Sequence, residues 1–151
     1  MNKWTKRFIA IAHEVATWSK DPKCQVGCVI VSPDKRQFTV GYNGFPKGIK
    51  DLDGRLADQV YKNSITVHAE LNAILNAGTN LEGWTLYTTK PLCVNCAAAV
   101  IQAGIKDIVM PNVAENSDWK AENDAGYLLL VETGSKIIRY DVLYSSPDKH
   151  I

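Results

Sequence analysis

The stretch from Thr66 to Met110, TVHAELNAILNAGTNLEGWTLYTTKPLCVNCAAAVIQAGIKDIVM, alternates twice between a helical and a strand pattern. Val67 to Ala77 predicts a helix, with Thr66 in front as cap and Gly78 behind as stop. Trp84 to Thr89 is a short apolar strand, Val94 to Ala103 a second helix stopped by Gly104, and Lys106 to Met110 a second strand. Strands joined through helices run parallel, with the helices packed on the sheet.

Working outward, Trp4, Phe8, Ile11, Val15 and Trp18 recur at helical intervals from Asn2, an N-cap residue, to about Ser19. Val26 to Ser32 and Gln37 to Tyr42 predict a hairpin around Pro33-Asp34. Asn43 to Ser64 is polar and broken by glycines, and is expected to be a long loop. Beyond Met110, Asp118 to Thr133 predicts a helix ending at Gly134, and Lys136 to Asp141 a last strand before a polar tail. The order α-β-β-α-β-α-β-α-β implies an α/β protein, a three-layer α/β/α sandwich on a five-stranded mixed sheet. Residues 1–151 are expected to form one domain.

Composition narrows the function. The 151 residues are 46% hydrophobic and 22% charged, which is ordinary for a globular chain and excludes disorder, collagen-like repeats and coiled coils. No apolar run approaches the ~20 residues of a bilayer span, so no membrane partner is expected. The N-terminal MNKWTKRFIAIAHEV meets His13 and Glu14 just past a short apolar stretch, and reads as an amphipathic helix, not an export signal. Net charge is +1 with no Lys/Arg run, which disfavours a polynucleotide partner, since gripping one needs several phosphate-neutralising cations. Cys24 and Cys28 sit in or beside one strand, where four residues span ~13 Å, too far for a disulfide. A cytoplasmic protein is expected.

The chemistry concentrates at two helix starts, His68-Ala69-Glu70 and Cys93-Val94-Asn95-Cys96. A Cys-x-x-Cys pair at a helix N-terminus aims two thiolates at one ion, and the helix end lowers their pKa. One imidazole added to them makes a three-ligand set suited to Zn²⁺, with the fourth position open to water. Glu70, two residues after His68, points away from the ion and beside that water, where it can act as general base and then acid. Taken singly, Cys-x-x-Cys fits a structural knuckle or a redox pair, and His-x-Glu arises by chance. Together, in this order, they point to a catalytic zinc centre. His13 and His150 are expected to be a helix-face and a tail histidine.

H-x-E followed by P-C-x-x-C is the signature of zinc-dependent nucleobase deaminases. HAELNAILNAG, WTLYTT, CVNCAAAVIQAGI and the loop GYNGFPKG (41–48) together resemble the deoxycytidylate (dCMP) deaminase family, well from about Trp4 to Met110 and weakly beyond. The resemblance implies one zinc per chain on His68, Cys93 and Cys96, with Glu70 carrying protons during conversion of dCMP to dUMP and ammonia. The Ala69 backbone N–H, in the first turn of its helix, is expected to hold the pyrimidine O2. By resemblance, Asn43 bonds the sugar hydroxyl or base edge; its plain alternative is a turn residue before Gly44. Leu92 stands where the family usually has Pro, and its backbone carbonyl is expected to face the leaving amine. Trp119 is expected to replace an aromatic residue that relatives carry after the fourth strand.

The resemblance also implies a homohexamer, activated by dCTP with Mg²⁺ and inhibited by dTTP. The expected effector or phosphate site comprises Lys20, Lys23, Gly44 and Lys47. Rival readings are a deaminase of another cytosine nucleotide or nucleoside, or of guanine, a tRNA or DNA editing deaminase, and a non-catalytic zinc module binding nucleotides. Glu70 speaks against the last, because a structural module has no use for it.

Overall fold

Asn2 opens the first helix by accepting the Thr5 N–H on its side-chain oxygen at 2.9 Å. That helix, α1 (Lys3–Ala16), turns Phe8, Ile9, Ala12, Val15 and Ala16 inward. Strand β1 (Gly27–Val31) is buried along its whole length, as a strand covered on both faces must be. It pairs antiparallel with β2 (Phe38–Tyr42) on one side and β3 (Thr85–Thr88) on the other. Strands β4 (Asp107–Pro111) and β5 (Lys136–Tyr140) then add in parallel, giving one five-stranded mixed sheet in the order β2-β1-β3-β4-β5. This computed structural model describes residues 1–141; the predicted tail, with His150, lies outside them.

Alternate residues of the strands face two cores. One core joins Ile30, Leu86, Ile108 and Met110 to Ala69, Ala73, Ala97, Val100 and Leu130. Those last five residues belong to α4 (Ala69–Ala77), α5 (Val94–Gln102) and α6 (Lys120–Glu132). The other core joins Val29, Val31, Tyr87, Val109 and Tyr140 to Phe8, Ile9 and Ala12 of α1. Two glycines set how close the helices come. A Cβ on Gly27 would overlap the backbone of Ala12 and Ala16, and one on Gly41 would overlap that of Ala69 and Ala73.

Two expectations are corrected. The segment from Asn43 to Ser64 is not one long loop, since it forms α2 (Asp53–Ala57) and α3 (Gln59–Ile65). Asp58 caps α3 by accepting the Tyr61 N–H, and Lys62 anchors it by entering the interior, a device that polar composition hides. Helix α4 begins at Ala69, not Val67, and its cap is His68, not Thr66. Val67 is extended because it pairs with Gly44 through two backbone bonds of 2.8 and 3.1 Å.

Candidate metal centre and catalytic cavity

Both functional helices begin at the same edge of the sheet, where β3 ends. His68 and Cys93 are the N-caps of α4 and α5, so their side chains stand at the helix mouths rather than on the flanks. Among the described residues, ligand atoms of His68, Cys93 and Cys96 gather within 4.8 Å of one another. The His68 Nδ1 lies 3.5 Å from the Cys93 Sγ and 3.3 Å from the Cys96 Sγ. Zn–N and Zn–S bonds at a tetrahedral angle require an N–S separation of about 3.6 Å. The donor set and its spacing therefore fit Zn²⁺.

The electrostatics favour thiolate at this point. Cys93 is pulled down to about 4, chiefly by the hydrogen bond from the Cys96 thiol, with burial opposing and His68 and the Cys96 N–H assisting. Sharing that bond pushes Cys96 up. The charge on Cys93 raises His68, through their hydrogen bond first, against burial. A divalent cation in this space favours ionisation of both thiols.

Glu70 is buried beside the cluster and is not one of its ligands. Its Oε1 accepts the Thr88 hydroxyl at 2.8 Å, and the Thr88 carbonyl accepts the Tyr140 hydroxyl at 2.8 Å. Three elements thus fix one carboxyl group. Burial pushes its pKa up, against bonds from its own N–H and Thr88. A buried carboxyl with raised affinity for a proton, beside a metal centre, suits general acid–base work near neutral pH.

These groups open into a cavity of about 210 Å³. That is smaller than the ~300–1,000 Å³ typical of drug-sized ligand sites, so it suits a small polar molecule. Ala69, in the first turn of α4, lines it. Trp119 lines it too, edge-on to His68 with ring centroids 6.4 Å apart. Asn43 lines it and is not in a left-handed turn. Its Oδ1 accepts the Val26 N–H and its Nδ2 donates to the Cys24 carbonyl, each at 2.8 Å, which locks the amide against β1 and leaves one N–H over. The Leu92 side chain packs in the core, between Pro91 and Cys93, which border the cavity. The Leu92 carbonyl accepts the Asn123 Nδ2 at 3.2 Å, as the Pro91 carbonyl does at 3.1 Å.

Of the lysines singled out in the sequence, none borders this cavity. Lys20 pairs with Asp51 at 3.0 Å, Lys47 is exposed, and Lys23 sits in an adjoining recess. Residues that the sequence reading missed also line the cavity: Gln59, Asn63 and Thr66 on or after α3, Lys90 after β3, and Ser117 and Asn123 around α6. Only Lys90 carried a signal, lying three residues before a metal ligand.

Comparison with known proteins agrees with this geometry. The family model for the cytidine and deoxycytidylate deaminase zinc-binding region matches residues 2–111. An uncharacterized deaminase from the luxG 3′ region of Aliivibrio fischeri is 43% identical over 79% of this chain and 81% of its own length. The human deoxycytidylate deaminase is 39% identical over 71% of this chain; the match spans 64% of that protein. The dCMP deaminase of cyanophage S-TIM5, solved with dCMP and dUMP, superposes with a TM-score of 0.71 over 93% of this chain and 99% of that one, at 21% identity.

Proposed function

The chain belongs to the cytidine and deoxycytidylate deaminase family, and from that premise we propose that it is a cytoplasmic dCMP deaminase, forming dUMP and ammonia. The observation that carries the reading is the pairing of a three-ligand zinc site with a buried, non-ligating Glu70 in one cavity. Relatives named deoxycytidylate deaminase at 34–43% identity support the choice of substrate.

Zinc, held by His68, Cys93 and Cys96, supplies when bound the acidification of water that makes a nucleophile available near neutral pH. The protein's own groups do the rest. Glu70 takes the proton released as water adds to C4 of cytosine and delivers it to N3. It then carries a second proton to the departing ammonia. Thr88 holds the carboxyl at 2.8 Å, so both transfers start from one fixed position. In this reading the Ala69 N–H receives the pyrimidine O2, Trp119 closes the cavity beside the base, and the spare N–H of Asn43 meets the sugar; all three residues line the cavity. The Leu92 carbonyl acts through Asn123, which holds the strap between β3 and α5 in place.

Assembly as a homohexamer, and regulation by dCTP with Mg²⁺ and by dTTP, belong to the same proposal. The support for regulation is mechanical: Gly44 is tied by two backbone bonds to Val67, the neighbour of His68. An effector on the GYNGFPKG loop, with Lys47, would pull on a zinc ligand. Ammonia release from dCMP, CMP, dCTP and deoxycytidine tests the proposal. Preferred turnover of dCMP is expected; no release from any of the four would refute deamination of cytosine.

A further inference from the structure

Cations around the catalytic cavity differ in whether they are already neutralised. Lys62 is buried, 2% exposed, and spent on Asp21 at 2.8 Å; Lys20 is spent on Asp51 at 3.0 Å. Among the described residues, Lys90 and Lys23 are in no ion pair. Among the described residues, Lys90 is the only lysine or arginine lining the catalytic cavity, and it also lines the neighbouring recess, of about 560 Å³, which Lys20 and Lys23 border. Asp21 lies on the wall between the two, but Lys62 cancels its charge.

The recess is thus a net positive extension of the cavity that Glu70 and the metal ligands also line. His13 does not add to that charge: burial, and then Lys90 nearby, hold its pKa below the usual value. Lys90 is also fixed at its base, because it lies between Thr89, whose hydroxyl accepts the Gly27 N–H at 3.0 Å, and Pro91. An unpaired ammonium on a fixed strap, beside a cavity sized for a base, suits an anionic group attached to that base.

We propose that Lys90, assisted by Lys23, is the specificity-determining cation that receives the 5′-phosphate of the substrate and makes the enzyme choose a nucleotide over a nucleoside. This rests on the deaminase reading; of the lysines expected at the phosphate it keeps Lys23, and it gives the main contact to Lys90 on the β3–α5 strap. A lysine–phosphate contact is a charge-assisted hydrogen bond, and its loss typically changes affinity ~10–100-fold.

Steady-state kinetics with dCMP and with deoxycytidine, on wild type, Lys90→Ala, Lys90→Arg and Lys23→Ala, test it. The ratio of kcat/KM for dCMP to that for deoxycytidine should fall ~10–100-fold in Lys90→Ala, mainly through KM, fall less in Lys23→Ala, and recover in Lys90→Arg. An unchanged ratio in Lys90→Ala, or equal losses on both substrates, would overturn the proposal. Calorimetric binding of dUMP and deoxyuridine separates it from the deaminase reading. If wild type turns over neither substrate, the deaminase reading fails, while weakening of dUMP alone by Lys90→Ala would still mark the anion site. Equal weakening of dUMP and deoxyuridine would remove it.

Discussion

At the scale of single residues, the wall of the cavity depends on one buried charge. Lys62 on α3 and Asp21 after α1 pair at 2.8 Å, and the same carboxylate oxygen accepts the N–H groups of Lys23 and Cys24. Burial works against the Asp21 charge, but these partners outweigh it and hold its pKa below the usual carboxylate value. A depressed folded-state pKa contributes stability that is present above the unfolded-state value, ~3.9, and is lost as pH falls through the lower folded-state value. Asp21→Asn strands a buried ammonium, so it should cost about 3–5 kcal/mol at pH 7. The deficit relative to wild type should shrink as pH falls below ~4, where the unfolded-state carboxyl takes up its proton, and vanish below the lower folded-state value, where wild type loses the pair. Urea titrations at pH 7 and pH 3 check this; a deficit independent of pH would show that the pair does not carry the effect.

At the scale of elements, the metal centre is as good as the seating of α4 on the sheet. Gly41 lets α4 rest on β2, and a Cβ there would strike the backbone of Ala69 and Ala73. Gly41→Ala should therefore lift the helix that begins at His68, cost roughly 1–3 kcal/mol or more, and lower zinc content together with Tm. Normal zinc occupancy at an unchanged Tm would contradict this. The same elements show what was legible in advance. Helices α1, α4, α5 and α6 and all five strands follow from apolar periodicity and glycine stops, because each buries one face against a sheet that the hairpin and crossovers define. Helix α3 was illegible: its sequence, QVYKNSI, is polar, and Lys62 is inside only because Asp21, 41 residues away in sequence, meets it. His68, Glu70, Cys93 and Cys96 were readable because ligand chemistry imposes short local spacings. The rest of the cavity wall was not, since Gln59, Lys90, Ser117 and Asn123 come together only in the folded chain.

At the scale of the whole molecule, the apolar surface bears on assembly. Trp84 packs against the core, and Trp119 lines the cavity while staying partly exposed. Uncovered apolar groups include Trp18 and Tyr42, in edge-on contact at 6.0 Å, and Leu71 and Leu75 on α4. The proposed hexamer would cover such groups, and light scattering at micromolar concentration should return a mass near six times 16.7 kDa; a monomer would contradict it. The central claim is that this fold carries a zinc centre with a separate proton carrier, and one paired measurement tests it most directly: zinc content and dCMP turnover of Glu70→Gln against wild type. The predicted result is one zinc per chain in both proteins, with turnover lower by at least ~10²–10⁴-fold in the variant. Near-normal turnover in Glu70→Gln, or loss of zinc along with activity, would contradict the assignment of Glu70 as a proton carrier distinct from the ligands.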